Sequence, residues 1–281
     1  MTDVFKAACI QNCAVPDVQK NLAVTRDLTR AAAGDGASLI CLPEYFSGLD
    51  TDGSKIYPAA FLEAEHPVIP AFAEEARTLG VWIVLGSLGV TASDGRINNR
   101  GYVIDPAGQV RARYNKIHMF DVNLGEGKVY QESATIAPGD EAVVAQTPWG
   151  GLGLSICYDL RFAALYRALA QAGATMLTVP AAFTKMTGEA HWHVLNRARA
   201  IENGCFVISP CQYGTLSGGS QCFGHSLIVD PWGQVLADGG DDEGYIVADI
   251  DIAEVDKARG RIPALTHDRP FSLLQPAQAA E

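Results

Sequence analysis

The feature that most constrains this chain is an end-to-end alternation of short β-rich runs with stretches whose apolar residues recur at helical spacing. Residues 4–10, 38–42, 81–85, 100–104, 110–114, 152–156, 175–179, 205–209, 225–229 and 245–250 read as strands. Residues 18–33, 69–79 and 190–203 read as helices, as does the segment carrying Phe162, Leu165, Tyr166 and Leu169 on one face. Gly173 and Gly204 follow two of these helices, where a left-handed residue ends a helix well. In the 190–203 helix the expected inward positions are Val194, Leu195, Ala198 and Ile201, with Arg197 and Arg199 outward. Asp105-Pro106-Ala107-Gly108 is a turn between two strands. The pattern gives an α/β fold. Residues 121–150 are irregular and rich in Gly, Pro and acid, and a connection that long is more often functional than idle. Without a repeat or a break in composition, one domain over residues 1–274 is expected, followed by a flexible Ala/Gln/Pro-rich tail over 275–281.

Charge narrows the function. Lys and Arg total 21 against 32 Asp and Glu, so the net charge over 281 residues is 21 − 32 = −11. Nucleic acid and anionic membrane surfaces need basic patches, so neither is an expected partner. No apolar run reaches the ~18 residues of a bilayer span, and Met1-Thr2-Asp3-Val4-Phe5-Lys6 lacks the core of a signal peptide. The seven cysteines are odd in number and form no CxxC pair, which argues against a disulfide scaffold and a zinc ribbon. A soluble cytoplasmic protein is expected.

The segment Gly150-Gly151-Leu152-Gly153-Leu154-Ser155-Ile156-Cys157-Tyr158-Asp159-Leu160-Arg161-Phe162 carries the strongest chemical signal. It places Cys157 where a buried strand ends and a helix begins, and unpaired amides there favour a thiolate. Free cysteine is also among the most buried residue types, so a core thiol is the plain alternative. Glu44 follows the apolar run Leu39-Ile40-Cys41-Leu42-Pro43 at a strand's end, where α/β folds collect functional groups. Lys116 lies just past another strand. A solvated loop acid and a surface lysine would be ordinary. As a buried pair they would offset each other's desolvation, the acid serving as a base and the lysine holding an oxyanion.

Pro43-Glu44, Asn115-Lys116-Ile117-His118 and Cys157-Tyr158-Asp159-Leu160-Arg161-Phe162, in that order, resemble the Glu-Lys-Cys signature of the nitrilase superfamily of carbon–nitrogen hydrolases. The likeness is nearest the Nit branch, with its ω-amidases and deaminated-glutathione amidases. It runs on through Gln131-Glu132-Ser133, Ala182-Phe183-Thr184, Thr187-Gly188-Glu189-Ala190-His191-Trp192 and Gly224-His225-Ser226. The resemblance implies a four-layer α-β-β-α sandwich, a homodimer, a small-molecule amide substrate and no cofactor. It implies Glu44 as general base, Lys116 as oxyanion stabiliser, Cys157 as nucleophile and Glu132 as a second active-site acid. The Tyr158 N–H would be a further oxyanion donor, Arg161 a clamp for a substrate carboxylate, and Phe183 and Thr187 pocket walls. A salt bridge to Asp159 is the structural alternative for Arg161. The expected activity is a cysteine-dependent amidase passing through a thioester. A nitrilase or an N-carbamoyl amino acid hydrolase on the same three residues is the alternative.

Two departures bear on the substrate: His191-Trp192-His193 stands where the branch commonly has His-Trp-Glu, and Pro180-Ala181-Ala182-Phe183 where it has Pro-Ser-Ala-Phe. His191 and His193 are two apart and cannot share a helix face, so no metal is read there. Gly153-Leu154-Ser155-Ile156-Cys157 falls one glycine short of the G-x-S-x-G elbow, which leaves a Ser155 esterase, with Asp230 and His267, as the nearest competing enzyme.

Overall fold

A computed structural model describes residues 4–125 and 128–273. The expected boundary at 274 and the tail over 275–281 lie outside the described residues.

Two sheets form the centre. The first, of eight strands, includes β1 (Val4–Gln11), β2 (Ala37–Cys41), β3 (Trp82–Thr91), β4 (Ile97–Ile104) and β5 (Val110–Asn115). The second, of six strands, is β6 (Val144–Thr147), β7 (Gly150–Leu154), β8 (Ala174–Thr178), β9 (Phe206–Ser209), β10 (Leu227–Val229) and β11 (Val235–Asp238). A last strand, β12 (Gly244–Asp251), returns to the first sheet antiparallel to β1. In the first sheet β1, β2 and β3 run parallel, and the antiparallel β4 turns the chain so that β5 again follows β3. In the second, β7, β8 and β9 are parallel. Parallel neighbours need crossovers, and helices supply them: α1 (Val18–Gly34) and α2 (Val68–Leu79) in the first half, α3 (Ala163–Gln171) and α4 (Lys185–Asn203) in the second. A short α5 (Ala253–Arg261) follows β12.

Side-chain alternation along β1 sets the layers. Phe5, Ala7 and Cys9 join the core containing Leu152, Leu154, Met176 and Ile208 of the second sheet. Ala8 and Ile10 join Leu22 of α1 and Phe72 and Ala76 of α2. A strand sends successive side chains to opposite faces, so β1 is buried on both. Phe5 stacks on Trp149 with ring centres 4.0 Å apart, closing one end of the sheet–sheet contact. On the far face of the second sheet, Leu165, Tyr166 and Leu169 of α3 and Trp192 of α4 are buried. The result is the expected α-β-β-α sandwich. No helix among the described residues is long and apolar enough to cross a membrane.

Two expectations need correction. Residues 121–150 are less irregular than they read: Asp121–Asn123 pairs with Val129–Gln131, Ile136–Ala137 joins β4, and β6 opens the second sheet. These strands are two to four residues long, too short for a clear alternation. The inward face of α4 is also different. Val194 and Ile201 are 67% and 52% exposed, whereas Asn196, Arg199 and Asn203 are buried. The polar residues go inward because each finds a backbone partner: Asn196 Nδ2 donates to the Trp192 carbonyl, Asn203 Nδ2 to that of Arg199, and Arg199 Nε to that of Leu160.

Candidate active site

The strands that carry the expected residues end on one edge of the sandwich. Glu44 lies just past β2, Lys116 just past β5, Cys157 just past β7 and Ala182 just past β8. The loop holding Glu44 is pressed against β3, where a side chain on Gly86 would come within 1.9 Å of the Leu42 carbonyl oxygen. Only glycine fits that approach. Pro43 O accepts the Ser87 N–H at 3.2 Å, and Ser87 Oγ accepts the Tyr45 N–H at 3.1 Å, so β3 holds Glu44 from both sides. The Lys116 N–H donates to the Asn99 carbonyl on β4.

Glu44, Lys116 and Glu132 are buried together. Lys116 Nζ lies 3.1 Å from Glu44 Oε1 and 3.0 and 2.8 Å from the two oxygens of Glu132. Asn99 Nδ2 donates to Glu44 Oε1 at 2.8 Å, and the Ala182 N–H donates to Glu44 Oε2 at 2.8 Å. The Phe120 N–H donates to Glu132 Oε2 at 2.6 Å. Burial pulls the Lys116 ammonium down, but Glu132 and Glu44 outweigh it and hold the group well above its ordinary value. Lys116 is therefore a cation throughout the physiological range. Two carboxylates share that single cation, and burial raises the Glu132 carboxyl, with the Glu44 charge adding to the rise and Lys116 opposing it.

Cys157 opens a five-residue 3₁₀ turn, Cys157–Arg161, rather than an α-helix, and α3 begins only at Ala163. The dipole that the sequence promised at this position is correspondingly small. Burial pushes the thiol well above its ordinary value, the neighbouring Glu44 adds to this, and Lys116 opposes it. Burial and the neighbouring Glu44 thus favour the protonated thiol over the thiolate. Cys157 has a left-handed backbone (φ 50°), and its N–H donates to the Pro180 carbonyl at 2.9 Å. Asp159 stitches this turn to the first half: Oδ2 accepts the Ile156 N–H and the Tyr114 hydroxyl, and Oδ1 accepts the His118 N–H and meets His118 Nδ1.

A cavity of about 480 Å³ opens over these groups, lined by Glu44, Lys116, Glu132, Cys157, Tyr158, Phe183 and Thr187 among others. Arg161 stands one layer back. Its guanidinium lies 5.4 Å from the Phe183 ring centre and 5.7 Å from that of Tyr158, and Nη1 is 3.3 Å from His191 Nδ1. The alternative salt bridge to Asp159 does not form. Ser155 lies outside the lining, with Oγ 2.6 Å from both the Tyr166 hydroxyl and the Thr178 carbonyl. Asp230, its supposed partner, caps the Trp232 and Gln234 amides instead.

Three contributors went unnoticed in the sequence. Asn99 is a fully buried amide inside a strand, which is itself a signal. Tyr45 lines the cavity with its hydroxyl buried and unpartnered. The Ala182 N–H has no signature in sequence, because every residue but proline offers one.

Comparison with known proteins gives the family. The carbon-nitrogen hydrolase family pattern matches residues 6–260. A deaminated glutathione amidase of Synechocystis is 40% identical over 268 residues, covering 94% of this chain and 97% of the relative. The human omega-amidase is 34% identical over 265 residues, covering 94% and 95%. Among solved structures, the C. elegans NitFhit protein superposes with a TM-score of 0.86 at 33% identity, across 95% of this chain and 66% of that one. With the family pattern matching residues 6–260 and a relative of 40% identity covered to 97% of its length, this chain belongs to the carbon–nitrogen hydrolases of the nitrilase superfamily.

Proposed function

We propose that this chain is a cysteine-dependent amidase that hydrolyses a small linear amide bearing a carboxylate. The observation that carries the reading is the convergence of Glu44, Lys116 and Cys157, from three strand ends, in the wall of one cavity. Glu44 takes the Cys157 proton as sulfur attacks the amide carbon. Lys116 Nζ and the Tyr158 N–H hold the oxyanion; an amide in the first turn of a helix has no partner within that turn. Collapse returns the proton to the leaving nitrogen, and the amine or ammonia departs from a Cys157 thioester. Water then gives a proton to Glu44 and attacks the thioester, and the restored thiol completes the cycle. Glu132 keeps Lys116 charged and aimed, its two oxygens lying within 3.0 Å of Nζ.

Arg161 is the carboxylate clamp in this reading, its side chain swinging past the Tyr158 and Phe183 rings to meet the substrate. It rests on the Tyr158 and Phe183 rings that line the cavity, and among the described residues no carboxylate pairs with it. A guanidinium fork suits a carboxylate bidentately. Phe183 and Thr187 complete the wall. The substrates proposed are deaminated glutathione, α-ketoglutaramate and succinamate. The likeness to a deaminated glutathione amidase and to an omega-amidase supports that set, and a cavity of about 480 Å³ has room for its largest member. The reading includes a homodimer working in the cytoplasm, which sedimentation and cell fractionation check.

The test is product release from these three amides, a simple nitrile and an N-carbamoyl amino acid, with native enzyme and Cys157→Ala side by side. Cysteinylglycine is followed as well as ammonia. Turnover of a carboxylate-bearing amide, lost in the variant, is the expected result. Turnover of the nitrile or the carbamoyl compound alone would replace the amidase reading. Arg161→Lys should raise KM for acidic amides far more than for neutral ones, and an equal effect on both would remove the clamp.

A further inference from the structure

Among the described residues, three other than glycine hold a left-handed backbone: Tyr45, Cys157 and His225. The first two line the cavity. His225, at φ 52°, sits elsewhere, ahead of β10. Outliers of this kind collect at functional sites, and this one carries a ligand cluster.

His225 Nδ1 lies 2.8 Å from Asp238 Oδ1, at the end of β11. His193 Nε2, from α4, lies 2.9 Å from Asp238 Oδ2. One ligand atom from each of the three residues falls within 4.8 Å of the others, and all three are partly exposed. The Gly240 N–H donates to Asp238 Oδ1 at 3.0 Å and fixes the carboxylate. The second nitrogen of His225 faces Asp241 Oδ1 at 3.6 Å. Two imidazoles and a carboxylate, with one side open to water, are a donor set that zinc takes. A second carboxylate behind a ligating histidine is the usual device for orienting its ring.

We infer that His193, His225 and Asp238 form a binding site for a zinc-class divalent cation, with Asp241 as a positioning residue behind His225. The site is separate from the cavity but tied to its wall. The Phe223 ring stacks on His225 with centres 4.5 Å apart, and the Phe223 N–H donates to the Phe183 carbonyl. Trp192 Nε1 donates to the His225 carbonyl at 2.7 Å, and its ring packs 5.0 Å from that of Phe183. A cation at this point clamps α4 to β10 and β11 behind Phe183 and takes no part in the carbonyl chemistry. His191 and His193 do not share the site, as their spacing requires: His191 meets Arg161, and the partner of His193 comes from a distant loop.

The test is a titration of Co²⁺ into the full chain carrying Cys157→Ala, which removes a competing thiol from the cavity. One equivalent should bind with visible d–d bands and no thiolate charge-transfer band, and Zn²⁺ should displace it and raise Tm. His193→Ala and Asp238→Asn should each abolish binding, and Asp241→Asn should weaken it by about 10–100-fold. Should His193→Ala fail to fold, the nearly isosteric Asp238→Asn still decides. The absence of saturable binding at micromolar Co²⁺, binding that survives Asp238→Asn, or spectra showing thiolate coordination would each overturn the proposal.

Discussion

The two halves share a plan of strand, helix, strand, helix, strand, yet their strand ends bring opposite things to the cavity. The first half brings charge: Glu44 after β2, Lys116 after β5 and then Glu132, with Asn99 on β4 beside them. The second half brings Cys157, the amides of Tyr158 and Ala182, and the Phe183 ring. Buried charges need one another, so the first half gathers its groups into one hydrogen-bonded cluster. The nucleophile of the proposed mechanism must instead be reachable and free to change partners, and the second half holds Cys157 by its backbone N–H to the Pro180 carbonyl. In the proposed mechanism the first half activates and the second half reacts, and Asp159 hydrogen-bonds across the two.

The largest expected effect breaks the second half alone. Cys157→Ala should lower kcat by ~10⁴-fold or more while leaving the denaturation midpoint nearly unchanged. An active variant, followed by product release, would move the chemistry out of the second half. Breaking the first half should cost stability as well as rate. Lys116→Met leaves two carboxylates buried without their cation, and urea unfolding should show a loss of about 3–5 kcal/mol. Its kcat should fall by at least ~10²–10³-fold. If stability is unchanged, the charges do not depend on each other. At the join, Asp159→Asn weakens contacts with Tyr114, His118 and Ile156 at once, and should cost about 1–3 kcal/mol in the same unfolding assay.

The smallest effect concerns pH. The Cys157 thiol is held well above its ordinary value, by burial first and by Glu44 next. Its alkylation by iodoacetamide, located by peptide mass, should therefore keep rising through pH 9 without a plateau. Glu44→Gln removes one raising cause and should shift the profile to lower pH. A plateau near pH 7 in the native enzyme would mean a preformed thiolate. The same sign governs stability. The unfolded thiol ionises near pH 8.5 while the folded one keeps its proton, so this contribution is complete below that pH and is lost as pH rises beyond it.

Much of the fold was legible because strands buried on both faces, such as β1, read as near-continuous apolar runs. Glu44, Lys116 and Cys157 were legible as chemistry out of place: two charges beside apolar runs and a thiol at a strand's end. The face of α4 was not, because Asn196, Arg199 and Asn203 are buried through bonds to carbonyls that no side-chain pattern records. The Ala182 and Tyr158 amides were hidden in the same way, and only Tyr158 was reached, through the family resemblance. His225 and Asp238 meet His193 only through tertiary packing, so no local spacing announced them.

The central claim is that Cys157 carries the acyl group between the two halves' work. Intact-mass spectrometry after rapid mixing with a carboxylate-bearing amide tests it most directly, with peptide mapping of any adduct. The account predicts an increment equal to the acyl part of the substrate, located on Cys157, sensitive to hydroxylamine and absent in Cys157→Ala. An acyl adduct on Ser155, or full turnover by Cys157→Ala, would contradict it.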